Sequence, residues 1–190
     1  ILTLTPASVQ PGDELTCTAT ISAVDGTTSE SLSVTVTNSL PVIDDVVIEP
    51  ASGVTIDTEL TCSATASDAD EQDIELTYTW LNGDTELATG TTLNLADTDI
   101  PVGQMITCEV FAVDTSGGIS EIEENKVRIE NTTPVISSVS ITPAEPTSQE
   151  NLTCNAKGED LEADELTFSY VWTVDNVAQE EASDTLSAPL

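Results

Sequence analysis

The sequence predicts an all-β protein made of β-sandwich units, and three observations support this prediction. β-Branched residues are abundant, whereas aromatic residues make up only 3% of the chain, and β-branched side chains suit the pleated surface of a sheet. Apolar and polar residues alternate in short runs, which turn residues separate every roughly 8–12 positions. The same pattern returns after about 92 residues, which indicates successive copies of one domain.

Successive strands can be placed in order along the middle of the chain. Alternating apolar positions predict that one face of each strand is buried, at Leu60–Ala64, Leu76–Trp80, Leu93–Leu95, Ile106–Val110 and Val127–Ile129. Asn82 and Gly83 tolerate positive φ and predict a hairpin turn after the second of these strands. Thr, Ser, Asp and Glu dominate the other face of the strands. These strands together predict one complete sandwich.

Internal repeats extend this pattern towards both ends of the chain. The run Leu60–Ala64 returns 92 residues later as Leu152–Ala156. The run Pro11–Cys17 returns 91 residues later as Val102–Cys108. The repeating unit is therefore out of phase with the chain, and we interpret the chain as a segment of a longer tandem array.

The phase of the repeat predicts three domains. Residues 1–40 are the C-terminal half of one domain, residues 41–133 are a complete domain, and residues 134–190 are the N-terminal half of a third. The junctions at Asn38–Pro41 and Asn131–Pro134 are short, and proline holds the residue before it in an extended conformation. We therefore expect a stiff array rather than flexibly linked domains.

The charge balance excludes several functions. The chain has 35 Asp and Glu residues against 3 Lys and Arg residues, a net charge of −32, and it has no His. Three cations are too few to bind nucleic acid, and anionic membrane surfaces repel such a chain. The absence of imidazole removes the commonest catalytic base and a common zinc ligand. No apolar run approaches the ~20 residues that cross a membrane.

A Cys–Trp–Cys order spans the middle domain, as Cys62, Trp80 and Cys108. In this order the chain resembles the immunoglobulin-like superfamily. The acidic run Ser67–Asp70 before Tyr78 and Trp80 makes it similar to the bacterial Ig-like and PKD-like modules of long tandem surface proteins. The resemblance implies tandem Ig-like β-sandwich domains in an extracellular or cell-surface protein of bacterial origin.

The same resemblance implies a disulfide between Cys62 and Cys108, which would stabilise the domain by about 4 kcal/mol. Cys17 and Cys154 would then pair outside residues 1–190 or between chains. The alternative is four reduced, buried thiols that act as small apolar side chains. Without His or a Cys-x-x-Cys motif, the cysteines do not form a recognisable zinc or redox site.

Acidic residues recur in the loop after the first cysteine of each repeat. Asp68, Asp70 and Asp73 lie in this loop, and the Ig-like order places Asp114 at the same end of the domain. Converging carboxylates at a junction are candidate calcium ligands. The alternative is that these loops are ordinary solvated surface. No other cofactor is expected.

Two sequons provide candidate modification sites. Asn131 and Asn151 each fit the glycosylation acceptor pattern. Threonine-rich sequences also produce such matches by chance, so the pattern alone does not distinguish the two cases.

Three functions are compatible with these features, and none of them is enzymatic. Among 35 acidic residues some pair of carboxylates is inevitable, and there are few aromatic residues to line a sugar-binding pocket. The main hypothesis is a structural segment of an extracellular fibre, stalk or adhesin shaft, whose partners are neighbouring Ig-like repeats or other copies. The second is an adhesion module that binds a ligand through its loops, with or without calcium. In the third, half-domains complete each other between chains through Cys17 and Cys154.

Overall fold

The computed structural model describes residues 2–187 and consists almost entirely of antiparallel strands. It divides into two compact units, Ile1–Ile129 and Glu130–Leu190. The outermost residues of the predicted spans 1–40 and 134–190 lie outside the described residues, and the predicted domain boundaries stay predictions. No helix within residues 2–187 is long and apolar enough to cross a membrane.

The first unit begins with a long β-hairpin, β1 (Glu14–Ala23) and β2 (Gly26–Thr35). The strands pair without interruption from Glu14 opposite Thr35 to Ala23 opposite Gly26. On one face, three threonine hydroxyls form cross-strand hydrogen bonds of 2.7–2.8 Å with serine hydroxyls. The opposite face is apolar and exposed, although apolar side chains that alternate in this way normally lie in a core.

The rest of the first unit is a two-sheet sandwich. Its strands are β3 (Val42–Glu49), β4 (Glu59–Ser67), β5 (Ile74–Asn82), β6 (Thr85–Thr89), β7 (Thr92–Asn94), β8 (Met105–Asp114) and β9 (Glu123–Arg128). One sheet has the order β3-β4-β7 and the other the order β6-β5-β8-β9. Seven antiparallel strands in this arrangement form an Ig-like β-sandwich, which confirms the predicted fold class.

The core of this sandwich lies between the two sheets. Trp80, Leu60, Ile106 and Val110 are fully buried. Trp80 stands opposite Cys108 in the pairing of β5 with β8, and Cys108 forms a disulfide with Cys62 on β4 in the other sheet. The disulfide thus joins the sheets through the middle of the core, as the resemblance implied. The predicted inward positions of these strands are all buried or half-buried.

The predicted hairpin turn is displaced by one residue. Asn82 is the last residue of β5 and pairs with Thr85, so the turn consists of Gly83 and Asp84. Gly83 has φ +59°, in the left-handed region that glycine adopts without cost. A two-residue loop with this geometry matches the twist of the flanking strands.

The second unit contains β10 (Val135–Thr142), β11 (Leu152–Glu159), β12 (Thr173–Val174), β13 (Val177–Ala178) and β14 (Thr185–Leu186). The order β10-β11-β14 repeats the order β3-β4-β7, and Leu152 pairs with Leu186 as Leu60 pairs with Leu93. Residues 166–172 correspond to β5 but form no strand. In the first unit β5 pairs along its length with β8, and no strand in the described part of the second unit takes that place.

Candidate functional site

Two loops meet at one end of the sandwich, and we call this end the junction pole: the β4–β5 loop (68–73) and the β8–β9 loop (115–122). Gln72 joins them, because its Nε2 donates a hydrogen bond of 2.7 Å to Ser116 Oγ. Asp68 shapes the β4–β5 loop, since its Oδ1 accepts hydrogen bonds from the backbone N–H groups of Asp70 and Gln72 at 2.8 and 3.4 Å. Aspartate side chains stabilise tight turns in this way.

Asp114 ends β8 and organises the second loop. Asp114 is only 5% exposed, and its Oδ1 accepts the N–H groups of Ser116 and Gly118, both at 2.8 Å. Its Oδ2 accepts a 2.7 Å hydrogen bond from Nδ2 of Asn38. The Asn38 hydrogen bond, together with the backbone donors of the loop, lowers the pKa of Asp114 below its usual 3.8. Asp114 therefore stays ionised at neutral pH.

Gly118 permits this close packing. A Cβ atom at this position would overlap Asp114 Oδ2 and would approach Asn38 Nδ2 to 2.7 Å. The loop can therefore lie against the Asp114–Asn38 pair only when residue 118 has no side chain.

The linker before β3 is bound to the β4–β5 loop and to the last residue of β8. Asn38 contacts Asp114, and the N–H of Ser39 donates a 2.6 Å hydrogen bond to Asp70 Oδ2. Pro41 follows and is fully buried. The linker is thus held by side chains from the β4–β5 loop and from the end of β8.

The second unit repeats the linker contact at equivalent positions. Thr132 takes the place of Ser39, and its N–H and Oγ1 donate hydrogen bonds of 3.2 and 2.7 Å to Glu162 Oε2. Asp160 takes the place of Asp68, because its Oδ1 accepts the N–H groups of Glu162 and Asp164. Ala163 has φ +59° where Glu71 has φ +56°. Each linker is therefore bound by a loop, and the two loops have the same local structure.

Four buried side-chain oxygens within residues 2–187 have no hydrogen-bond partner, and all of them belong to these loops and linkers. They are Asn38 Oδ1, Asp68 Oδ2, Gln72 Oε1 and Glu162 Oε1. Each is an acceptor, so each lacks a positive or hydrogen-bond-donating partner. An unpaired buried acceptor costs about 1–3 kcal/mol.

The sequence-predicted calcium residues are only partly brought together. Asp68, Asp70 and Asp114 belong to the junction pole, whereas Asp73 is exposed. Within residues 2–187, no three His, Cys, Asp or Glu side chains form a group that could hold a metal ion. Sequence reasoning did not single out Asn38 and Gln72, whose amide oxygens are among the unpaired acceptors. The recurrence of asparagine before both Pro41 and Pro134 was the available signal.

The remaining predicted sites lie apart from this pole. Cys17 is exposed on the hairpin and Cys154 is half-buried on β11, and both are free thiols. Asn131 and Asn151 are exposed, as an acceptor for glycosylation must be. Their modification stays a prediction.

No protein-family model and no curated protein matches the chain. Five chains of known structure are similar to it. One is the crystal structure of chicken CNTN1 FN1–FN3 domains, with 15% identity over 95% of this chain and 67% of that chain and a TM-score of 0.34. The fold assignment above depends on strand order and pairing, and not on this similarity.

Proposed function

We propose that this chain is a non-enzymatic structural segment of an extracellular fibre, stalk or adhesin shaft of a bacterial surface, built from tandem disulfide-stapled Ig-like domains. The observation that carries the proposal is the attachment of the linker to the junction pole. Asn38 donates a hydrogen bond to Asp114 at the end of β8, and the N–H of Ser39 donates one to Asp70 in the β4–β5 loop. In Ig-like binding modules, loops at one end of the sandwich contact the ligand. Here those loops hold the preceding segment of the chain.

The disulfide suits a protein that bears tension. It closes a loop of 46 residues between Cys62 and Cys108 across the two sheets. While it is intact, pulling on the chain cannot extend that loop. The negative charge adds solubility and opposes lateral aggregation of exposed strands.

Single-molecule stretching of the oxidised chain tests this role, with Cys17 and Cys154 replaced by serine to leave one disulfide. Unfolding of the sandwich should release about 160 Å less contour length before reduction than after it, since an extended residue spans about 3.5 Å and the loop has 46 residues. Equal lengths in the two states would contradict the proposal.

The unpaired oxygens favour a second candidate function, a junction ordered by calcium. Ca²⁺ prefers carboxylate and amide oxygens and takes 6–8 of them. Asn38, Asp68 and Gln72 offer three buried oxygens without donors, and further ligands would come from water or from Asp70. We expect millimolar CaCl₂ to raise the melting temperature of the oxidised chain and Asp68→Asn to abolish that rise.

Asp84→Asn is the matched control for this test, because it removes the same charge from the exposed β5–β6 turn. It should leave the calcium effect intact. An equal response to CaCl₂ in the wild type and the Asp68→Asn variant would show general screening of the acidic surface and would exclude this second candidate.

A further inference from the structure

The linker before β3 is attached to the sandwich by side chains and not by a strand ladder. We call residues 38–40 the strap. Asn38 Nδ2 donates to Asp114 Oδ2 at 2.7 Å, and the N–H of Ser39 donates to Asp70 Oδ2 at 2.6 Å. Both acceptors are carboxylate oxygens of the sandwich. The strap is therefore held at two points, whereas a ladder of seven residue pairs joins β3 to β4.

Burial changes sharply where the strap meets the sandwich. Leu40 is 59% exposed, whereas the next residue, Pro41, is fully buried. Apolar burial therefore holds Pro41 and β3 in place but contributes little to holding Leu40. The strap can leave the junction pole without exposing the core of the sandwich.

The bound strap also carries a cost that the open strap lacks. No donor within residues 2–187 reaches Asn38 Oδ1, which is buried, and the same holds for Asp68 Oδ2 and Gln72 Oε1 in the β4–β5 loop. Buried acceptors of this kind destabilise the state that buries them. Opening returns Asn38 Oδ1 to water, which offsets part of the loss of the two hydrogen bonds. The closed and open straps therefore differ less in free energy than the folded and unfolded sandwich.

Asp114 connects the strap to a path along which tension passes through the domain. It is the last residue of β8, and the chain continues from it through the β8–β9 loop into β9. β9 ends at Arg128, which pairs with Met105 at the other end of β8. A closed strap therefore passes tension from Asn38 to Asp114 and along β9. β3 carries its full load only after the strap opens.

The strap also limits how far the preceding hairpin can move. The N–H of Gly12 donates to the carbonyl of Val36 at 2.9 Å, so the base of the β1–β2 hairpin extends to Val36. From Val36 the chain reaches Asn38 in two residue steps, at most about 7 Å, and Pro41 in five, at most about 17 Å. Opening the strap therefore lengthens the tether between hairpin and sandwich by up to about 10 Å.

We propose that the strap opens and closes reversibly while the sandwich stays folded, so that tension changes the junction from a short, restrained state to a longer one. The inference rests on the proposed structural role, because it describes how a shaft of such domains yields to force. Thr132 repeats at the second linker the contact that Ser39 makes at the first, with Glu162 Oε2 as the acceptor. The same opening is therefore expected there. A shaft with such straps lengthens before its sandwiches are fully loaded.

Native-state hydrogen exchange measured by NMR tests whether the strap opens independently. The full oxidised chain is used, with Cys17 and Cys154 replaced by serine. The protection factor of the Ser39 N–H should be at least tenfold lower than that of the Cys62 N–H, which donates to the Thr91 carbonyl at 2.7 Å inside the sandwich. Urea below the unfolding transition should lower the protection of Cys62 but not that of Ser39, because a local opening exposes little surface.

Equal protection and equal urea dependence of the two amides would mean that the strap opens only when the sandwich unfolds, and would overturn the proposal. A Ser39 amide without protection would also overturn it, because the strap would then never close. Neither result decides the structural role itself, which is tested separately by the loop length that reduction of the disulfide releases.

A core variant separates opening of the strap from unfolding of the sandwich. Ile48 is 3% exposed, so Ile48→Ala should lower the protection of the Cys62 amide at least tenfold while that of Ser39 stays within twofold. Ile48→Val provides the same comparison with a smaller loss if the alanine variant does not fold. Ile141→Ala is the matched control, because Ile141 is 49% exposed in the second unit, and it should leave both amides within twofold. Equal losses at Ser39 and Cys62 in the Ile48 variants would contradict an independent strap.

Single-molecule stretching at low force measures the length that the strap releases. Reversible steps of about 10 Å should appear at forces below those that unfold the sandwich, and Asn38→Ala combined with Asp70→Ala should abolish those of the first linker. Asn155→Ala combined with Asp84→Ala is the matched control, because it removes the same two side chains from exposed positions, and it should keep the steps. Wild-type chains without such steps, or equal steps in the wild type and the Asn38 and Asp70 variant, would contradict the proposal.

Discussion

The sandwich at residues 42–129 and the second unit at 134–187 carry nearly the same pattern of residues but bury it very differently. Ile48 and Ile141 each stand opposite a cysteine of the neighbouring strand, Cys62 or Cys154. Ile48 is 3% exposed, whereas Ile141 is 49% exposed. Burial at this position therefore depends on the facing sheet and not on the local sequence.

The same contrast extends to secondary structure. The segment Leu76–Trp80 is a strand because β8 pairs with it, whereas Phe168–Trp172 has no such partner within the described residues and forms no strand. β-Propensity largely measures the fit to neighbouring strands. Three sets of variants probe the stability of these regions, and they are given in order of decreasing expected effect on stability.

Removal of the disulfide should have the largest effect. Changing both Cys62 and Cys108 to alanine should lower the free energy of unfolding of the sandwich by about 4 kcal/mol, since the bond closes a long loop of the unfolded chain. Urea denaturation followed by Trp80 fluorescence, in a Trp172→Phe background, measures this loss.

The equivalent change at the free cysteines, Cys17→Ser with Cys154→Ser, is the matched control. It should leave the urea midpoint of the sandwich unchanged. A fall similar to that of the Cys62 and Cys108 variant would mean that the stabilisation does not come from the bond across the sandwich.

Matched isoleucine truncations test the difference in burial. Ile48→Ala should cost about 2–4 kcal/mol, because it removes buried atoms and leaves a cavity. Ile141→Ala should cost less than about 1 kcal/mol, because its side chain is half in water. Hydrogen exchange read by mass spectrometry reports the opening free energies of β4 and β11 in one sample. Equal costs would contradict the described exposure of the second unit.

The smallest effect should come from pH. The pKa of Asp114 is lower in the folded protein than its usual 3.8 because Asn38 and backbone N–H groups bind the carboxylate. A lowered folded pKa contributes stability above pH 4 that is lost as the pH falls through the folded value. Melting temperatures between pH 7 and pH 2.5 should therefore fall less steeply in Asn38→Ala than in the wild type. Parallel profiles would exclude this contribution.

The sandwich could be predicted from the sequence because its alternation, spacing and cysteine order all favour the same fold. Ile106, Cys108 and Val110 were predicted to share a face, and all three are buried. Alternation alone predicted that Ile141 would be buried, since its residue pattern is that of a core strand, whereas a half-domain at residues 134–190 would lack the strands that cover it. Its exposure depends on which strands lie opposite, and an alternating pattern does not specify that.

The position of the junction pole could be predicted from the sequence, but its hydrogen bonds could not. The acidic loop and Asp114 were assigned to one end of the domain from the Ig-like strand order. The hydrogen bonds of Asn38 and Gln72, and the overlap that excludes a side chain at Gly118, depend on positions within a few tenths of an ångström. Spacing along the chain does not carry that information.

Amide exchange at Ser39 tests the central claim, that the linker is bound to the junction pole. NMR exchange rates of this N–H in the oxidised chain should be at least tenfold slower than in Asp70→Ala, because that variant removes the oxygen to which Ser39 donates. At the second linker, the N–H of Thr132 should likewise exchange at least tenfold more slowly in the wild type than in Glu162→Ala. Exchange of Ser39 at the rate of an unprotected amide in the wild type would contradict the account.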